Sequence, residues 1–456
     1  METLTQALAR RCGADWSGRF QAEQWATLRG CVRGAFIDTA ACMLAGRTES
    51  VTQVALRWAA PRLSDQAPHP AELSSPVLFG PLRTDSATAA LIDAVAGHAL
   101  DYDDVGLAGH PSVVLVPALM AERARAAAVG SALDAEVLVG AYARGYAVWG
   151  ELQRRLKVQL HARGWHPSAV FGAIATAAAV ARLRGLRPQQ CTHALGIAAS
   201  MAAGVVANFG SMTKPFQVGR AAQAGIQAVE LAWAGLDASA DALDGPAGLL
   251  PALTGSAALV DLGATLPDDF EAMLLNARPG IKKYPVCYAV HRVVDGVIDL
   301  VARHQVAPGD IESLQTSISA TAAAVLRHHN PESVTQARFS MEFCAAAAAV
   351  HRRLGIAEVS PSGLSDAAIR ALMPKVRIET LDTRCPLEPS FAYTDRVRLT
   401  LRNGQVLDSG PIRFARGHAE NPVEDAELRG KLMSCAGAGD ETLACAVLAD
   451  IDRLFV

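Results

Sequence analysis

The chain is poor in lysine and in aromatic residues. Of its 456 residues 5% are Phe, Trp or Tyr, and of its 42 basic residues only six are lysines: Lys157, Lys214, Lys282, Lys283, Lys375 and Lys431. The formal net charge is −3, so no global field draws the chain to nucleic acid or to an anionic membrane surface. No uninterrupted apolar run reaches the ~20 residues of a membrane-spanning helix, and the opening METLTQALARRCGADW lacks the long apolar core of a signal peptide. The nine cysteines lie singly, with no CxxC pair, which argues against a disulfide framework or a zinc ribbon and fits a reducing compartment. HExxH, a P-loop and GxGxxG are absent, which removes zinc-protease, NTPase and dinucleotide readings. The expectation is a soluble cytoplasmic protein that binds neither nucleic acid nor membrane.

Hydrophobic residues make up 51% of the chain, mostly alanine, leucine and valine, which favours packed helices over sheet. Helical spacing of apolar residues predicts helices over 22–46, 85–100, 113–129, 131–157, 167–184, 187–205 and 216–235. PSAVFGAIATAAAVARL (167–183) is apolar nearly all round and belongs in the middle of a helical assembly. Residues 64–82, rich in Pro and Ser, read as a long connection. After about residue 278 the pattern changes: 313–319, 375–381 and 396–410 alternate with period two, the last as a hairpin turning at Asn403-Gly404. A helical piece lies at 338–353, and helix returns after Asn421-Pro422. The predicted fold is mainly α: a large all-helical domain (1–278 and 413–456) interrupted by a smaller α/β lid domain (279–412).

The densest chemistry lies in HALDYDDVGLAGHP (98–111), where Asp101, Asp103, Asp104 and two histidines follow an apolar helix. Buried carboxylates need partners. Three times a basic residue precedes a proline that opens an apolar helix: His110-Pro111, His166-Pro167 and Lys214-Pro215. Proline favours the first helical position, so each basic residue reads as an N-cap, although Ser, Thr, Asp and Asn are the usual caps. Free N–H groups at such starts favour an anion. For one such motif alone an ordinary solvated helix start is the better reading; three in one chain point to a carboxylate or phosphate cradle. IKKYPVCYAVHR (281–292) adds Lys282, Lys283, Cys287 and His291, the thiol and imidazole spaced to share a helix face. A lone Cys287 is more often a buried structural thiol than a nucleophile.

Rival motifs are weaker. Ser211-Met212-Thr213-Lys214 matches SxxK, but the Ser-Asp-Asn and Lys-Thr-Gly elements of the penicillin-recognising enzymes are missing. The acidic run does not have the DDxxD spacing of magnesium-binding prenyl synthases, and His98, Asp101 and His110 have no strong metal-ligand spacing. No metal is expected. Asp101 reads as the partner of an imidazole or lysine, Asp103 and Asp104 as caps or structural acids.

Taken in order, these segments resemble the MmgE/PrpD family over nearly the whole chain. The resemblance is carried by FIDTAACMLAG (36–46), AVAGHALDYDDV…HPSVVLVPAL, GWHPSAVFGAIATAAAVARLRGL, SMTKPFQVGRAAQAGIQAVELAWAGL, KKYPVCYAVHRVVD, ARFSMEFCAAAA and the closing NPVEDAELRGKL. It implies a helical domain plus an α/β lid, a homodimer, no cofactor, and a small di- or tricarboxylate as substrate. The family's active-site positions fall on Asp101, His110, His166, Lys214 and Lys282. With Cys287 added as a catalytic candidate, and Lys283 and His291 beside Lys282 for substrate binding, these are the candidate site residues. The family's decarboxylases carry threonine where this chain has Val105, and histidine where it has Cys287. The expected activity is a cofactor-independent lyase that removes a proton next to a carboxylate, foremost a 2-methylcitrate dehydratase-like hydro-lyase. A dicarboxylate epimerase using Cys287, a cis-aconitate-type decarboxylase and a catalytically inert binding member are the alternatives. Intact His110, His166 and Lys214 argue against inertness.

Overall fold

The computed structural model describes residues 2–16, 18–65, 74–263, 265–388, 391–437 and 439–455. The fold is mainly α, and the chain divides into two compact units. The first comprises residues 1–99, 103–279 and 425–456; the second comprises 100–102 and 280–424. No described helix is long and apolar enough to cross a membrane.

The first unit is helical. In chain order it contains α1 (Leu4–Gly13), α2 (Ala22–Gly46), α3 (Ser50–Ala59), α4 (Ser86–His98), α5 (Ser112–Ala128), α6 (Ala135–Arg154), α7 (Pro167–Leu183), α8 (Pro188–Met201) and α9 (Thr213–Trp233). Asp85 caps α4 by accepting from the Thr88 amide, and Asp134 caps α6 by accepting from Val137, so α6 begins later than the apolar pattern from 131 suggests. Every residue of α4 is buried, as is α7 from Pro167 to Ala181, which places both at the centre of the bundle. α9 packs on both. A methyl group on Gly219 of α9 would lie 2.5 Å from the Leu91 carbonyl oxygen and 2.6 Å from Val95 of α4, so the missing side chain lets the two backbones approach. The connection at 64–82 carries a short antiparallel ribbon, β1 (Ser75–Pro76) with β2 (Arg83–Thr84); residues 66–73 of it lie outside the described residues.

The C-terminal helices Asp425–Ala436 and Glu441–Phe455 pack on α2. Lys431 of the first donates to the buried Asp38 carboxylate at 2.6 Å, an ion pair that holds the returning chain in the bundle.

The second unit has a four-stranded sheet ordered β4-β3-β5-β6: β3 (Ile311–Ser319), β4 (Val376–Leu381), β5 (Arg396–Leu401) and β6 (Val406–Asp408). β3 and β4 are parallel, so the chain between them crosses over, and that crossover contains the helix Met341–His351. β3 and β5 are antiparallel. β5 and β6 form the expected hairpin, with Gly404 at φ 87°. Helices His291–Arg303 and Met341–His351 supply Val293, Val297, Leu300 and Phe343 to a core shared with Ile311, Leu314, Val397 and Leu399 of the sheet. This unit runs on to Glu424 rather than ending at 412. The Arg416 amide donates to Asp295 at 2.8 Å and the Ile281 amide to the Gly417 carbonyl at 2.8 Å, which ties 413–424 to the start of the unit.

Gly219→Ala is expected to lower the melting temperature. Alanine gains about 1 kcal/mol of helix propensity over glycine, but the methyl meets a backbone carbonyl, and overpacking of this kind costs about 1–3 kcal/mol. A thermal melt at or above that of the parent would show that α4 and α9 separate freely.

Candidate active site

Three helix ends of the first unit converge on one cluster. α4 ends at His98, α7 begins after His166, and α9 carries Lys214 in its first turn. The segment before α5 adds Asp103 and His110. Helix N-termini favour negative charge and a C-terminus favours a protonatable base, so these placements suit a site for an anion.

Asp103 lies at the centre and is fully buried. Its carboxylate accepts from His98 Nδ1 at 2.8 and 3.0 Å and stands 3.1 Å from His110 Nδ1. Burial alone would raise its pKa, but the two imidazoles hold it well below the usual carboxylate range. Asp103 is therefore the partner of two imidazoles, not the cap or structural acid that the sequence suggests. Asp104 does act as a structural acid: it accepts from the Ser112 amide at 3.1 Å and the Ser112 hydroxyl at 2.5 Å. Burial pushes its carboxyl well above the ordinary value.

With Nδ1–H committed to Asp103, His98 carries its lone pair on Nε2, and that atom is buried without a hydrogen-bond partner among the described residues. His166 has the same form. Its Nδ1 donates to Gln217 Oε1 at 2.8 Å, and its Nε2 is buried without a partner among the described residues. His110 Nδ1 donates to the Asp104 carbonyl at 2.8 Å. Its side chain keeps 13% of its surface exposed while that of Asp103 keeps none, so His110 offers the accessible edge of this group.

The rings of His98 and His110 lie 4.6 Å apart, and those of His98 and His166 stack at 6.2 Å. Phe209 presents its ring to His166 at 4.9 Å and to His161 at 6.0 Å. The ammonium of Lys214 sits over the same ring, 5.1 Å from its centroid. Burial lowers His98 to about 4, against the pull of Asp103. Burial, with His110 and Lys214 nearby, lowers His161 to about 4. Burial followed by the Lys214 charge places His166 well below the ordinary imidazole value. These three imidazoles are neutral at pH 7.

His98, Asp103 and His110 bring ligand-type atoms within 4.8 Å of one another. His98 Nδ1 is hydrogen-bonded to Asp103 and His110 Nδ1 to the Asp104 carbonyl, so hydrogen bonding accounts for the placing of both rings.

The other candidate residues belong to the second unit. Asp101 adopts φ 53°, a left-handed conformation that aspartate tolerates better than most residues. Lys282, almost fully buried, donates to its carbonyl at 2.7 Å and pairs with its carboxylate at 3.2 Å. Lys283 is exposed, and its carbonyl accepts from the Tyr102 hydroxyl at 3.1 Å. Cys287 precedes the short turn Tyr288–Val290, and the α-helix starts only at His291, so the thiol and imidazole do not share an α-helical face. Cys287 packs against the apolar core of its unit. His291 is fully buried, its ring 5.1 Å from both Tyr284 and Tyr288.

Of the three basic residues before proline, only His166 is an N-cap. His110 lies one residue further out, because Pro111 caps α5. Lys214 lies inside α9, which starts at Thr213. There Pro215 still falls among the first amides of the helix, which have no intrahelical acceptor, so the helix accepts it. Sequence reasoning passed over His98 as a reacting group, and also Asp103, His161, Phe209 and Gln217. Gln217 had a readable signal: three residues after Lys214, it shares that residue's helix face.

The family model for the MmgE/PrpD N-terminal domain matches residues 14–260, and that for the MmgE/PrpD C-terminal domain matches residues 284–449. The cis-aconitate decarboxylase of Homo sapiens is 27% identical over 412 residues, covering 88% of this chain and 82% of that protein. Its Mus musculus counterpart is 28% identical over 360 residues, 76% of this chain and 71% of that one. A cis-aconitate decarboxylase of Aspergillus terreus is 43% identical over 82 residues, 18% of this chain and 17% of the other. With both domain models matched along most of its length, the chain belongs to the MmgE/PrpD family.

Proposed function

We propose that this protein is a lyase that acts on a small di- or tricarboxylate by acid–base chemistry of its own side chains, foremost as a hydro-lyase of the 2-methylcitrate dehydratase type. The observation that carries the reading is His166: a buried neutral imidazole whose Nε2 lone pair has no partner among the described residues, with Lys214 close enough to lower its proton affinity.

A carbon next to a carboxylate is a weak acid, so its deprotonation needs a positioned base and a cation for the developing charge. His166 Nε2 takes the proton. The C–H pair moves into an enolate-like carboxylate, which Lys214 and the N-termini of α7 and α9 stabilise. The C–O bond then breaks, and His110 acts as the acid, passing a proton from Nε2 to the leaving hydroxyl, which departs as water. Imidazoles held neutral by burial suit a reaction that begins with proton removal, and this favours dehydration. Decarboxylation of a cis-aconitate-type substrate is the second reading, supported by similarity to the human and mouse decarboxylases. In that reaction the C–CO₂ bond supplies the electron pair and an imidazolium supplies the proton.

Proton NMR in D₂O with 2-methylcitrate, citrate, cis-aconitate and iminodisuccinate separates loss of water, loss of carbon dioxide and deuterium exchange alone. On the accepted substrate, His166→Ala and Lys214→Ala are each expected to lower kcat/KM by about 10²–10⁴. Full turnover in either variant would reject the assignment. The pH profile gives a separate check. kcat/KM reports the free enzyme, in which His166 stays unprotonated well below 6.5. Activity that depends on its lone pair is retained as pH falls through 6.5 and lost only at lower pH. An acid limb at or above 6.5 would exclude His166 as the base.

A further inference from the structure

His98 and His166 are built alike but backed differently. Each is buried, each commits Nδ1–H, and each leaves Nε2 without a partner among the described residues. Behind His98 stands the Asp103 carboxylate; behind His166 stands the Gln217 amide.

The orientation of that amide follows from its other contact. Gln217 Nε2 donates to the Val205 carbonyl at 3.1 Å. A carbonyl only accepts, so the NH₂ end must face Val205 and the Oε1 end must face His166. An oxygen at 2.8 Å from Nδ1 requires a proton on Nδ1. The backbone supports the arrangement: the His166 amide donates to the Gly204 carbonyl at 3.0 Å. A Cβ on Gly204 would stand 2.4 Å from the Ala169 Cβ and 3.0 Å from Gln217 Oε1, so glycine there leaves room for α7 first and for the amide as well. Gln217 is buried and has both ends of its amide engaged.

We propose that Gln217 is a positioning residue that fixes His166 as the Nδ1–H tautomer with Nε2 as proton acceptor, and that amide in place of carboxylate behind the ring separates His166 in role from His98. A carboxylate behind an imidazole stabilises the doubly protonated ring, as in catalytic triads. A neutral amide orients the ring without that charge. His166 faces Lys214 and the imidazoles of His98 and His110; His98 faces Asp103, Lys214 and the imidazole of His110. Among the described residues, only His98 of the two has an anion against it. In the proton transfer the C–H bond breaks, the N–H bond forms at His166 Nε2, and the electron pair passes to the substrate carboxylate. The catalytic consequence rests on the proposed lyase activity; the tautomer does not.

The test uses the full-length protein with ¹⁵N-labelled histidine, first without substrate. His166 is expected to show protonated Nδ1 and bare Nε2 from pH 6.5 to 8. Gln217→Glu, which keeps size and shape, is expected to raise the pH at which the ring takes a second proton and to move the acid limb of kcat/KM to higher pH. Gln217→Leu is expected to lose the single tautomer and to lower kcat by about tenfold or more, with KM little changed. If Gln217→Leu does not fold, the Gln217→Glu titration decides alone. The proposal is overturned if Gln217→Glu leaves the ¹⁵N titration of His166 and the pH profile as in the parent, or if His166 is protonated on Nε2 in the parent. If every tested carboxylate is refused while the tautomer responds to Gln217, the lyase reading fails and the positioning role stands.

Discussion

The cluster is organised by the contact between the buried Asp103 carboxylate and two imidazoles. A carboxylate without solvent is costly unless hydrogen bonds and charge compensate for it. Asp103 receives Nδ1–H from His98 and stands against His110, so one anion fixes the tautomer of His98 and, with the Asp104 carbonyl, the orientation of His110. Each ring then presents its opposite nitrogen. Without that anion, His98 would be a neutral polar side chain at the end of an apolar helix, and His110 Nδ1 would keep the Asp104 carbonyl but lose the carboxylate beside it.

Such a centre needs a rigid frame, which the alanine-rich helices supply. Small side chains pack closely, as at Gly219 against the Leu91 carbonyl, and a dense interior yields little when strained. α4, α7 and α9 are pinned together along their lengths, so their ends hold His98, His166 and Lys214 in fixed relation. The apolar surroundings that pack the helices also exclude water, and so they hold His98, His161 and His166 in their neutral forms. Packing and acid–base tuning have the same cause here.

Much of this was legible in the sequence, for physical reasons that also mark where legibility ended. Apolar periodicity identified α2, α4, α5, α7 and α9, and the Asn-Gly dipeptide identified the β5–β6 hairpin, because these signals are local. The motif before proline brought His166 and Lys214 into view, yet placed only His166 correctly as a cap. Whether a helix begins at Thr213 or after Lys214 is decided by hydrogen bonds such as that from the Thr213 amide to the Ser211 hydroxyl. Asp101 stood out as the first acid of the run, read as the partner of an imidazole or a lysine, and of the two it is a lysine, Lys282, that it contacts. The choice of Asp103 for the imidazoles depends on side-chain directions at the end of α4, which spacing does not encode. Cys287 and His291 looked like neighbours on a helix because four residues separate them; a short 3₁₀ turn intervenes and removes that register.

The low proton affinity of the buried imidazoles raises a question of strength, since a weak base abstracts a proton slowly. The substrate class proposed for the site resolves it. Two opposite charges about 4 Å apart at an effective dielectric of ~20 attract by about 4 kcal/mol, close to three pH units for a titrating group. A di- or tricarboxylate seated beside Lys214 and His166 brings negative charge to a site whose resident cation depresses the imidazole, and so restores its basicity. The same linkage runs in reverse: a ring that gains a proton binds the polyanion more tightly. His166 is then a strong base only when the site is filled, which keeps its imidazole neutral in the empty site and ties proton transfer to the presence of the carboxylate that needs it.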